Sequence, residues 1–210
     1  MESTTAATDA VLAVATAVGI AHLIRATPSS PGRYIWLITL AGWGLAAVLG
    51  AVTHGTELDP DLELALWQLL YLGLGVAQAM LVVGAVRDWR GYPSARRLLP
   101  FMVLTAAGFY WLTRRTGGDF LVFVIYSTAT TVFALAVYGH LAARARAGAA
   151  WIAAGLAVSL ASGAVQASSL SLDLLWSFDH NGLFHLMQML GLALLVTGLR
   201  RSLGVTPSSG

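Results

Sequence analysis

Leu64-Ala65-Leu66-Trp67-Gln68-Leu69-Leu70-Tyr71-Leu72-Gly73-Leu74-Gly75-Val76-Ala77-Gln78-Ala79-Met80-Leu81-Val82-Val83-Gly84-Ala85-Val86 runs without one charged side chain. A helix of this length covers the ~30 Å hydrocarbon core of a bilayer at 1.5 Å per residue. Lipid supplies no hydrogen bonds, so every backbone N–H and C=O in such a run must be satisfied within the segment, and that demands helix. The stretch belongs to an apolar segment spanning 62–86. Six more segments flank it, at 9–27, 33–54, 97–114, 119–140, 149–170 and 182–199. The fold expected is an all-α membrane bundle of seven transmembrane helices.

Composition agrees. The 210 residues are 57% hydrophobic and 10% charged, with a mean hydropathy of +0.73, whereas soluble domains carry roughly a quarter charged residues. Seven spans with short loops use nearly the whole length, so a single domain covers 1–201. The remainder, 202–210, ending Thr206-Pro207-Ser208-Ser209-Gly210, reads as a disordered tail. The chain has no cysteine, which excludes disulfides, thiolate metal sites and a cysteine nucleophile. All 12 basic residues are arginine, so no lysine is present to form a Schiff base. The basic pI, near 9.3, does not signal nucleic acid, because the arginines fall in short loops between apolar spans.

Those loops fix an expected orientation. With the N-terminus outside, the cytoplasmic side holds Arg25, Arg33, Arg87, Arg90, Arg96, Arg97, Arg144, Arg146, Arg200 and Arg201, leaving only Arg114 and Arg115 of the 12 outside. Nine of the 10 acids lie on the other side, with Asp88 alone inside. Arginine bias sets topology, and the expectation is a multi-pass protein of the cell membrane with a cytoplasmic C-terminus. No basic region precedes the first apolar run, so that run is expected to remain as helix one.

On this topology His22 and His140 end helices at the cytoplasmic side, where a helix C-terminus favours a cation. His54, His180 and His185 gather at the outer face. Asp61 and Glu63 lie beside them. Gln68, Tyr126, Gln166 and Gln188 fall in the same half of the membrane, and Gln188 shares a face with His185. Polar side chains within spans usually face the bundle interior. Three neutral imidazoles with one open position form the pattern of catalytic zinc. His54, His180 and His185 are therefore candidate zinc ligands, Asp61 and Glu63 candidate groups for orienting or deprotonating a water, and Gln68, Gln166, Gln188 and Tyr126 candidate substrate contacts. The small and polar residues Gly155, Ser159, Ser162, Gly163 and Gln166 form a stripe on helix six, a packing seam in lipid.

The stretch Asn181-Gly182-Leu183-Phe184-His185-Leu186, with His54 ending helix two, resembles the seven-helix superfamily of alkaline ceramidases, adiponectin/progestin receptors and hydrolases that remodel GPI lipids. The resemblance implies a seven-helix fold and zinc held by a histidine of helix two and two of helix seven. Here His54 matches the first ligand and His185 the last. Asn181 occupies the middle position, with His180 one residue out of register. Gly50 stands where the family has serine, and no aspartate lies within helix three. The function expected is a membrane-embedded, zinc-dependent hydrolase of a lipid amide or ester bond. The alternatives are a non-catalytic lipid-binding receptor, sensor or structural protein, and a transporter. A membrane lipid is the expected substrate or ligand.

Overall fold

The structure, a computed structural model, describes residues 3–168, 172–173, 177–178 and 180–204. Seven helices dominate: α1 (Ser3–Ala26), α2 (Pro31–Gly55), α3 (Pro60–Arg90), α4 (Tyr92–Arg115), α5 (Phe120–Ala143), α6 (Ala149–Gln166) and α7 (His180–Leu203). A two-residue antiparallel ladder, β1 (Leu172–Asp173) on β2 (Ser177–Phe178), lies in the connection between α6 and α7. The helix starts follow local chemistry. Ser30, Asp59 and Asp119 accept the N–H groups of Arg33, Asp61 and Leu121, and proline stands in the first turn of α2, α3 and α4.

The molecule is a membrane bundle. Six helices are long and apolar enough to cross a bilayer. The exception is α4, where only the 16 residues between Arg97 and Arg114 are free of charge. That covers about 24 Å at 1.5 Å per residue. Arginines at both ends can reach the interfaces by extending their stems along the helix. Large apolar side chains cover the perimeter: Leu104 is 69% exposed, Phe101 64% and Val14 64%. Water would not tolerate such a surface, but lipid does.

Consecutive helices pack side by side, α7 returns to α1, and α3 also packs on α5. A core of Trp36, Leu40, Leu81, Tyr138, Ile152, Leu156 and Leu199 fills the middle. The expected seam of helix six is present and faces α7. A side-chain carbon on Gly155 would lie 2.6 Å from the Gly191 carbonyl, and one on Gly191 would lie 2.8 Å from the Ser159 hydroxyl. Gly163, read as part of that stripe, instead faces open space.

Several boundaries shift from the sequence reading, the largest being the start of α1, at Ser3 rather than near 9. Helix α4 starts at Tyr92 rather than near 97, because Pro93 suits its first turn. Helix α6 ends at Gln166 rather than near 170. Helix α7 runs to Leu203, whose side chain is buried, so the start of the segment read as tail is helical. Residues 205–210 of that tail lie outside the described residues.

Candidate functional site

Contacts between helices set their relative depths. Gly50 of α2 meets Asp9 of α1, and Gly42 of α2 meets Gly73 of α3. Since α2 runs antiparallel to both, Gly50 lies level with Asp9 and within about one turn of Gln68. Helix α7 runs parallel to α1, with His185 beside Thr8 and Asp9 and Val196 beside Gly19. Asp9, Gly50, Gln68 and His185 therefore occupy one level near the end of the bundle where α1, α3 and α7 begin.

The centre of that level is a carboxylate–imidazole contact. His185 Nε2 lies 3.2 Å from Asp9 Oδ1, and its Nδ1 lies 3.0 Å from the Thr8 hydroxyl. Asp9 is 5% exposed, His185 7% and Thr8 7%. The Thr8 hydroxyl is also within reach of the Thr4 and Thr5 carbonyls. Three proton inventories satisfy this geometry. If the hydroxyl donates to its own helix, Nδ1–H donates to the hydroxyl oxygen, and the ring is either imidazolium opposite carboxylate or neutral with Nε2 accepting from protonated Asp9. If the hydroxyl donates to Nδ1, the ring is neutral and Nε2–H donates to Asp9. Gly50 is required in each case, because a side-chain carbon there would fall 2.6 Å from Asp9 Oδ2. Lacking that carbon, α2 leaves room for the buried acid.

The sequence reading missed Asp9, grouping it with the acids of the outer face. It is a helical residue buried against α2 and α7. The available signal was the spacing Thr5, Thr8 and Asp9, at i, i+3 and i+4, which puts all three on one face of α1. Asp88, read as a cytoplasmic loop acid, likewise belongs to the last turns of α3. Tyr138 donates to its Oδ2 at 2.6 Å, and Arg87 donates to its Oδ1 at 2.7 Å.

The other candidates disperse around the same end. The His54 ring meets the edge of Trp67 at 5.4 Å between centroids, and the Trp67 indole N–H points at Glu63 at 3.4 Å. Asp61 and Glu63 are exposed, while His180 is half-buried. Gln188 accepts from Ser159 at 3.0 Å and donates to Ser162 at 2.8 Å, which ties α7 to α6. Gln166 reaches Asn181 at 3.4 Å. Tyr126 stacks on Phe109 at 4.8 Å and turns its hydroxyl to Thr105 of α4, away from His185. The amide oxygen of Gln68 is buried and has no hydrogen-bond partner among the described residues. Asp179 lies outside the described residues, as do the side chains of the ladder.

A zinc-bound histidine gives one nitrogen to the metal and the other to a carboxylate or carbonyl. In His185 both nitrogens face side chains of α1, and among the described residues no group of three His, Asp or Glu is placed to hold a metal. Among the described residues this donor set does not fit a three-imidazole centre.

A search of curated proteins and of solved structures finds no match. A protein-family model does match, over residues 4–203, nearly the whole bundle, and the chain belongs to that family of unknown function, DUF6962.

Proposed function

We propose that the protein binds the polar, hydroxyl- or amide-bearing part of a membrane lipid at the level of Asp9, Gln68 and His185, as a lipid-binding receptor or sensor of the cell membrane with its N-terminus outside. One observation of depth supports this reading: ionisable groups buried within α1 and α7 lie level with the buried amide oxygen of Gln68 on the α4 side of α3, which has no partner among the described residues. An intramembrane acid and imidazole are costly to keep and by default mark a functional site. An orphaned amide acceptor in an apolar interior is costly too, and a ligand hydroxyl or amide N–H would satisfy it. The ligand's chains would lie between helices, against the apolar perimeter.

The test uses a photoactivatable diacylglycerol and a photoactivatable ceramide on the purified protein in nanodiscs. Labelling should concentrate in α1, α3 and α7, and Gln68→Leu should reduce it several-fold. Gln78→Leu, which removes an amide already bonded to Thr130, should leave it unchanged. Labelling spread evenly over the perimeter, or indifferent to Gln68→Leu, would refute the reading.

A second reading, hydrolysis of an ester or amide of that lipid, is favoured by the order hydroxyl, imidazole, carboxylate in the Thr8–His185–Asp9 line. That is the order needed for an oriented base to activate a nucleophile. Turnover lost in Thr8→Val while lipid labelling persists would favour it over binding alone.

A further inference from the structure

At the opposite end of the bundle, a shallow, open hollow of about 510 Å³ lies between α3, α4 and α5, lined by Val82, Val86, Ser94, Arg97, Leu98, Phe101 and Phe133. A second hollow of about 450 Å³ adjoins it on α4, formed by Tyr92, Pro93, Arg96 and Arg97. Arg97 lines both. We propose that the two together form a binding site for an anionic phospholipid of that leaflet, with phosphate on Arg96 and Arg97 and the upper acyl chain against Val82, Val86, Phe101 and Phe133.

Charge and shape both select this occupant. Arg87 of the same end is committed to Asp88, and the Arg90 guanidinium rests 4.0 Å from the centroid of the Trp89 ring. Among the described residues, no carboxylate pairs with Arg96 or Arg97, and both are exposed. Two adjacent guanidiniums at a membrane interface attract an acidic headgroup and can grip phosphate with paired N–H donors. The remaining wall is apolar, which a free anion would not need but an acyl chain does. Helix α4 packs on α3 and only lightly on α5, so the hollow stays open toward lipid. Pro100 also removes the N–H that would otherwise take the Arg96 carbonyl.

Native mass spectrometry of the full chain, with phosphatidylglycerol and phosphatidylcholine offered together, tests this. Phosphatidylglycerol should be retained preferentially. Each arginine is worth about fivefold in affinity, so Arg96→Gln with Arg97→Gln should lower retention on the order of 25-fold. Arg114→Gln with Arg115→Gln, at the other end, should change nothing. Millimolar inorganic phosphate or glycerol phosphate should not displace the lipid. Equal retention of the two lipids by the unaltered protein would overturn the proposal whatever the variants do. So would selectivity that survives loss of Arg96 and Arg97, or displacement by free phosphate.

Discussion

Truncating either side of the Asp9–His185 contact should destabilise the bundle more than its size suggests, and truncating both should cost less than the sum. At 3.2 Å, two unit charges attract by about 5 kcal/mol at an effective dielectric of ~20, an upper bound on any net gain. Both groups gave up hydration to reach that position, so much of the attraction only offsets desolvation. Removing one partner of such a pair costs about 3–5 kcal/mol, because the other stays buried and uncompensated. For a neutral imidazole the contact is an interhelical hydrogen bond, worth about 0.6–1.7 kcal/mol in a membrane bundle. The measurement is a double-mutant cycle of Asp9→Ala, His185→Ala and the pair. Unfolding would be followed by circular dichroism as denaturing detergent is titrated into mixed micelles. A coupling energy of about 2 kcal/mol or more identifies an ion pair, and one near 0.6 kcal/mol identifies a neutral bond. Coupling below ~0.3 kcal/mol would mean that the two side chains act independently, and the site as described would be refuted.

Three further outcomes follow from the same packing. Gly155→Ala puts a carbon 2.6 Å from the Gly191 carbonyl and should cost about 1–3 kcal/mol. Gly163→Ala, which meets nothing within 4 Å, should stay within about 0.5 kcal/mol of the unaltered protein; equal effects in the same titration would contradict the seam. Elemental analysis of the protein purified without chelator should find well under one zinc per chain, and stoichiometric zinc that disappears in His185→Ala would restore the metal-centre reading. A reporter fused after Arg201 should be active only as a cytoplasmic protein, and activity on the outer side would invert the orientation drawn from the arginines.

The bundle was legible in the sequence because lipid leaves few choices. A run such as Leu64–Val86 can cross only as helix, and the seven runs correspond to seven helices. Span limits were less legible where a proline or glycine could serve either a turn or a first helical turn, as at Pro93. The site was legible in part. His185 was singled out because it interrupts an apolar run, and it is buried. Convergence of His54 on it could not be read, since that depends on how α2 and α7 rotate about their axes. Helix α1 packs between them and takes the imidazole of His185, while His54 turns to Trp67 of α3. Asp9 escaped notice because it stands at the first residue of an apolar segment, where an acid ordinarily belongs to the solvated end.

Helix α1 explains why that acid matters. Its fully buried positions are Thr5, Thr8, Asp9, Thr16, Gly19 and Leu23, so Leu23 is the one large apolar side chain wholly inside, with Leu12 and Ile20 packed part-buried against the same core. Val11, Val14 and Val18 face outward, at 55%, 64% and 63% exposure. In water such a helix would be inside out, and in lipid it loses nothing, because no hydrophobic force draws helices together there. Close approach at Gly19, Gly44 and Gly50 and the polar contacts to His185 then join the packing of Leu12, Ile20 and Leu23 in holding α1 in the bundle. A lipid that hydrogen-bonds to Asp9 or His185 must compete with the contact that seats this helix. Binding at the site and the docking of α1 are thus two readings of one equilibrium, and a ligand that weakens the Asp9–His185 contact would loosen the first helix of the bundle.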